Sequence, residues 1–269
     1  MDMRDTLKKT LPEPLLNALR TAKDWSKVAG EWPNARLHPW RVDSIRKLNE
    51  LRNSHRGERC VIIGNGPSLK NTDLSKLRNV FTFGMNRFYM AFPDLGFTTS
   101  ALLSVNDLVI EQCAEDIRKL PIPTFVSWRS RKHIQPAPNL HYLYTSYVLP
   151  GFNGNAAGRL WEGATVTFVA MQLAYFMGFK QVILIGVDHN FTTQGTPNTT
   201  VVSSGDDPNH FNPAYFGKGF RWQLPDLETS EIAYLMAKSA YEKDSREILD
   251  ATVGGKLTVF PKVNFDSII

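Results

Sequence analysis

The chain has 269 residues, a net charge of +5, 42% hydrophobic and 11% aromatic residues, and two cysteines, Cys60 and Cys113. That length can bury one substantial core, its longest apolar runs are far too short to cross a bilayer, and Met1-Asp2-Met3-Arg4-Asp5 lacks the apolar segment of a secretory leader. The reading is a cytoplasmic protein with reduced thiols and no nucleic-acid module, its basic residues being dispersed apart from Arg129, Arg131 and Lys132.

In chain order, residues 1–55 read as a helical appendage, with Leu7, Leu11, Leu15, Leu16 and Leu19 near helical spacing and Pro12 and Pro14 interrupting its start. Such a helix packs on the main domain or on a second subunit, and peripheral contact with the inner face of a membrane also stays open. Residues 56–269 read as one α/β catalytic domain. Residues 59–64 predict a buried strand, with further strands at 80–84 and 102–105. The apolar stretch 166–177, closed by Gly178, predicts a helix. The β-branched run 181–188 that follows is an interior strand. A last helix is expected over 228–243 and a last strand over 257–260. Helix followed by buried strand, repeated, implies parallel strands with crossover helices: a Rossmann-like, mostly parallel sheet flanked by helices. The polar stretch 189–226, rich in Gly, Pro, Asn and Thr, has the length of a functional lid.

The strand at 59–64 runs into Gly64-Asn65-Gly66-Pro67-Ser68. Gly64 and Gly66 can adopt positive φ and bring backbone N–H groups close to an anion. Asn65 adds a side-chain amide, Pro67 suits the first turn of a helix, and Ser68 can satisfy its free amides. The expectation is a phosphate at the carboxyl end of a parallel strand. No Lys-Ser or Lys-Thr follows, so this is not a Walker loop. Three further strand ends bring Asn86, Asn106 and the Asp188-His189-Asn190 run to the same edge, where asparagines can read ribose hydroxyls or a base.

Residues 60–68, Phe83-Gly-Met-Asn-Arg-Phe-Tyr89 and Gly178-Phe-Lys-Gln-Val-Ile-Leu-Ile-Gly-Val-Asp188 resemble the MptE-like superfamily, which includes archaeal 6-hydroxymethylpterin diphosphokinases and motility-accessory-factor glycosyltransferases. The same blocks are similar to bacterial sialyltransferases that use CMP-sialic acid. That resemblance implies a modified nucleotide-binding fold and a transfer that needs no cofactor, from a nucleotide-activated sugar (a CMP-sugar favoured) to a glycan acceptor. It places Asn65, Asn86 and, approximately, Asn106 on the nucleotide, and a small hydroxyl residue near Thr165. The catalytic base it implies is a lid histidine, for which His210 is the candidate, with His189 beside Asp188 the second. Asn190 stands where the family has a tyrosine on the departing phosphate, and Tyr215, helped by Lys218, is the residue available instead. The diphosphokinase alternative implies ATP and Mg²⁺, for which Asp188, Asp206 and Asp207 are the carboxylates at hand. A nucleotide-binding protein without turnover is the third reading.

Overall fold

The computed structural model describes residues 12–269; Leu7 and Leu11 lie outside them. Two helices open the described chain, α1 (Glu13–Leu37) and α2 (Pro39–Leu51). Ten strands follow, eight of them in one sheet of order β10-β7-β1-β2-β3-β4-β5-β6, with every neighbouring pair parallel. They are β1 (Arg59–Ile63), β2 (Thr82–Met85), β3 (Ala101–Ser104), β4 (Thr124–Ser127), β5 (Leu140–Ser146), β6 (Arg159–Trp161), β7 (Gln181–Ile185) and β10 (Glu247–Asp250). The helices after α2 are a short α3 (Phe92–Leu95), α4 (Asp107–Arg118), α5 (Val166–Met177), α6 (Leu227–Lys243) and α7 (Phe265–Ile268). This is the expected parallel α/β sheet, with the strand order reversing between β1 and β7.

Helices α5 and α6 pack on one face around Phe168, Leu173, Phe179 and Tyr241, while Leu69, Leu77 and Ile183 are buried on the other. Helix α5 is apolar on nearly all sides because it lies between the sheet and α6. It stops at Gly178, whose φ of 94° is the left-handed cap the sequence implied.

Three features bear on the expectations. Residues 39–51 pack on the sheet: α2 buries Arg41, Ser44 and Leu48, and the Arg41 guanidinium donates to the carbonyl of Ala157 at 2.8 Å. Residues 257–260 form no strand; Leu257 and Phe260 are buried as irregular chain against the main core, and the edge strand is β10. The stretch 189–226 is folded, with β8 (Thr200–Val202) and β9 (Arg221–Gln223) in an antiparallel pair. Tyr215, Phe216, Trp222 and Leu224 cluster there around Val109 of α4. No described helix is long and apolar enough to cross a membrane.

Candidate functional site

A cavity of about 580 Å³ opens outside the carboxyl ends of β1, β2, β3 and β7, between them and the folded segment 189–226. That is the crevice a strand-order reversal creates, and its size is that of a small-molecule site. Of the residues expected at the site, Gly64, Asn65, Gly66, Asn86, Asn106 and Thr165 line it. So do Asp188, His189 and His210, whereas Pro67, Ser68, Asp206, Asp207, Tyr215 and Lys218 do not.

The glycine turn is built for close approach to the neighbouring loop, and three of its amides are taken. The Gly64 N–H donates to Ile185 O at 2.7 Å and the Gly66 N–H to Gly186 O at 2.9 Å. The Ser68 N–H and hydroxyl donate to Asp188 at 3.1 and 2.7 Å. Neither Gly64 nor Gly66 has positive φ; Gly66 has φ −67°. Glycine is required because a Cβ at 64 would strike the Gly186 carbonyl and one at 66 the Asp188 carboxylate. In the anion nest expected at residues 64–68, the Gly64, Gly66 and Ser68 amides are therefore occupied by Ile185, Gly186 and Asp188, and the Asn65 N–H is the one with no bond to the described residues.

Asn65 keeps a free polar atom. Its Nδ2 donates to Met85 O at 3.0 Å, and its buried Oδ1 has no partner among the described residues. A lone acceptor on a cavity wall calls for a hydroxyl or amine, not a phosphate oxygen. Asn86 sits at φ 51°, a conformation asparagine tolerates; its amide donates to Leu103 O at 2.7 Å and its Oδ1 accepts from the Ser104 hydroxyl at 3.1 Å. Asn106 caps α4 through Oδ1, leaving its amide nitrogen 3.5 Å from Gln223 of β9.

Opposite the turn, the start of α5 faces the cavity through residues 163–167. Thr165 caps it by accepting from the Thr167 N–H at 3.2 Å. Gly163 and Ala164 both have left-handed φ, 55° and 57°, and a Cβ on Gly163 would strike Ala233 of α6. Helix starts carry partial positive charge; here the Thr165 N–H donates to Glu162 O at 3.1 Å and the Thr167 N–H to the Thr165 hydroxyl, and the Val166 N–H has no bond to the described residues.

His210 stands beside the glycine turn, because the Phe211 N–H donates to Asn65 O at 2.8 Å. Its Nδ1 lies 2.7 Å from Asp207 Oδ2. Asp207 is buried and also accepts from the Asn209 and Phe216 amides at 2.9 and 3.2 Å. The imidazole stacks on Tyr215, ring centroids 4.1 Å apart. Carboxylate and phenol thus fix the ring, and Nε2 is the nitrogen left for the cavity. Tyr215 is fully buried, with its hydroxyl accepting from the Arg87 amide, and burial pushes its pKa up. It supports His210 from behind and does not reach a departing phosphate, which corrects its expected role; Lys218 is exposed and away from the cavity. On the other wall, His189 Nε2 pairs with Glu231 Oε1 at 2.8 Å.

The three carboxylates considered for a metal are not gathered. Both oxygens of Asp188 and of Asp207 accept protein donors, Asp206 is exposed, and no group of three His, Cys, Asp or Glu among the described residues is placed to hold a metal ion.

Glu162 is a site residue that the sequence did not mark. It lines the cavity just before α5 and is buried. Its Oε1 lies 2.6 Å from the Arg129 guanidinium, which also reaches Asp107 at 3.3 Å. Burial raises the Glu162 pKa against the pull of Arg129. Trp161 and Trp222 also line the cavity and are mostly buried. No lysine or arginine does.

No curated protein matches the chain. A solved structure, the MAf glycosyltransferase from Magnetospirillum magneticum AMB-1, is similar in fold, with a TM-score of 0.51 at 13% identity. The similarity covers 84% of this chain and 39% of that one, so this chain spans well under half of that protein's length. The family model for 6-hydroxymethylpterin diphosphokinase MptE-like proteins matches residues 40–194, more than half of the 269-residue chain and the whole run from α2 through β7 that builds the cavity floor. The chain belongs to the MptE-like family.

Proposed function

We propose that the chain is a transferase that moves a sugar from a nucleoside monophosphate donor, a CMP-sugar, to a hydroxyl of a glycan acceptor. The observation that carries this reading is His210, braced by the buried Asp207 and by Tyr215, at the edge of a crevice lined by three strand-end asparagines. Asn65 and Asn86 would take the ribose or base, and the start of α5 the phosphate. The acceptor hydroxyl would attack the anomeric carbon as His210 Nε2 takes its proton. The bond from that carbon to the phosphate oxygen breaks, and the nucleotide leaves with the electron pair. The folded segment 189–226 covers the site and keeps water from the donor.

Charge favours a single phosphate. Glu162, Asp188 and Asp226 line the cavity, and no lysine or arginine does. A helix start can hold one phosphodiester, whereas a di- or triphosphate would add charge with nothing on these walls to compensate it. A 6-hydroxymethylpterin diphosphokinase is the activity named in the family's description. It needs a metal on carboxylates, and Asp188 and Asp207 already serve backbone and side-chain donors; the residues present do not fit a Mg²⁺ site.

Thermal-shift and calorimetric titrations with CMP, UDP, GDP and ATP, with and without Mg²⁺, test the reading. Stabilisation by CMP without metal is expected, followed by CMP release from a CMP-sugar that disappears in His210→Ala. Stabilisation by ATP only with Mg²⁺ would establish the diphosphokinase instead, and CMP binding without turnover a non-catalytic nucleotide binder.

A further inference from the structure

Helix α1 leaves an apolar face without a partner among the described residues. It is 25 residues long, about 37 Å at 1.5 Å per residue. It touches the domain mainly toward its end, where Ala35 is buried with Tyr142 and Tyr144 and Val28 O lies 3.5 Å from the Tyr144 hydroxyl. Leu15, Leu19, Trp25 and Trp32 are 47, 53, 59 and 52% exposed; two half-bare tryptophans on one helix are more than incidental exposure.

The face has a register. Leu15, Ala18, Ala22, Trp25, Ala29 and Trp32 are spaced 3-4-3-4-3, the seam of a helix pair. We infer that α1 pairs antiparallel with α1 of a second copy of this chain, making a twofold dimer. Volume decides the direction. Parallel pairing sets Trp25 against Trp25 and Ala22 against Ala22, alternating clash with void. Antiparallel pairing sets Trp25 against Ala22 in both central layers and never Trp against Trp, with Trp32 meeting Leu15 and Ala18 meeting Ala29 further out. Leu19 then meets Val28 at the flank, and Thr21 meets Ser26. The α/β domains, attached at the helix C-termini, lie at opposite ends of the pair, and the helix dipoles oppose.

Charge favours a second copy over a bilayer. The flanking positions Leu19, Thr21, Ser26 and Val28 carry none, so a partner helix meets no like charge. Arg20, Lys23 and Lys27 sit on the far side of the helix beside Asp24 and Glu31, not along the edge of the apolar face where anionic lipid would meet them. Burying the exposed parts of the two tryptophans and two leucines removes roughly 400 Å² per protomer, short of a standard interface, so a weak dimer with dissociation in the micromolar range is expected.

Sedimentation velocity of the full chain from about 1 to 100 µM tests this. The expected result is a shift from 30.4 kDa toward twice that mass. Trp25→Ala/Trp32→Ala, and separately Ala22→Glu, should stay monomeric throughout while melting within a few degrees of the wild type. A monomeric wild type at 100 µM overturns the proposal, as does a dimer that survives both variants. Co-sedimentation with phosphatidylcholine–phosphatidylglycerol vesicles, lost in the tryptophan variant while the protein in solution stays monomeric, would make the occupant a bilayer and also overturn it.

Discussion

Replacing Asp188 with alanine separates a structural carboxylate from a chemical one. Asp188 accepts from the Ser68 amide at 3.1 Å and the Ser68 hydroxyl at 2.7 Å, and Ser68 is buried. Hydrogen bonds to a charged group contribute about 1.5–3 kcal/mol each, and buried donors left unpaired carry their own cost. Asp188→Ala should therefore destabilise the fold by about 3–5 kcal/mol, roughly a 10 °C drop in Tm for a chain of this size. Asp188→Asn keeps an acceptor oxygen and should lose only about 1–2 kcal/mol. Urea unfolding of the three proteins, followed by far-UV circular dichroism, reads the difference. Unchanged midpoints in both variants, with turnover abolished, would refute the structural role and return Asp188 to the chemistry.

Asp207→Asn should lower turnover roughly a hundredfold while donor KM stays nearly constant, because His210 loses its charged acceptor but the nucleotide contacts remain; in steady-state assays the double variant with His210→Ala should be no slower than His210→Ala alone. Asn65→Ala removes the cavity's open acceptor and should weaken CMP binding about tenfold by calorimetry, with Tm nearly kept. Arg129→Leu leaves Glu162 without its counter-charge beside the start of α5, so phosphate-bearing ligands should bind several-fold more weakly, although Arg129 does not line the cavity. His141 is buried against Phe125, and burial pulls its pKa down to about 4. The folded state then binds fewer protons than the unfolded one, so its contribution is present above about pH 6.5 and is lost as pH falls toward 4. His141→Phe should flatten that loss, by up to about 3 kcal/mol, in denaturation curves at pH 7.5 and 4.5.

Strands β1 and β7 were legible because Val-Ile-Ile and Val-Ile-Leu-Ile runs fit an interior parallel strand and little else. Strand β5 was not. Its sequence Leu-His-Tyr-Leu-Tyr-Thr-Ser carries polar residues at positions that are all buried, since the edge-ward half of the sheet is covered by helices; Tyr142 Oη donates to Ile134 O, while His141 Nδ1 has no partner among the described residues. The segment 189–226 reads as a polar lid because residues 192–210 carry no Phe, Tyr or Trp, and the aromatic residues crowded into 211–222 meet Val109 only in space. His210 could be found as a lid histidine, but Asp207 three residues earlier reads equally well as a solvated turn; burial and the converging amides decide its role. Glu162 had no signal, since a lone glutamate after a tryptophan does not announce a buried ion pair with a residue 33 positions away.

The sheet has two glycine-containing corners at its carboxyl edge, and they divide the work differently from their sequences. At the β1 corner, Gly64 and Gly66 bring two loops into contact, and the amides that might have met an anion are bonded to Ile185, Gly186 and Asp188. At the α5 corner, Gly163 and Ala164 take left-handed backbone so that the chain can turn tightly against Ala233 and start a helix facing the cavity. The first corner holds an open acceptor, Asn65 Oδ1, and the second the positive end of a helix. A nucleotide laid across the cavity with ribose at the first and phosphate at the second meets complementary groups at both ends. On the proposed reading the reverse orientation is disfavoured, since it sets a phosphate against Asn65 Oδ1 and Asp188, whereas the carboxylate beside the start of α5, Glu162, is offset by Arg129.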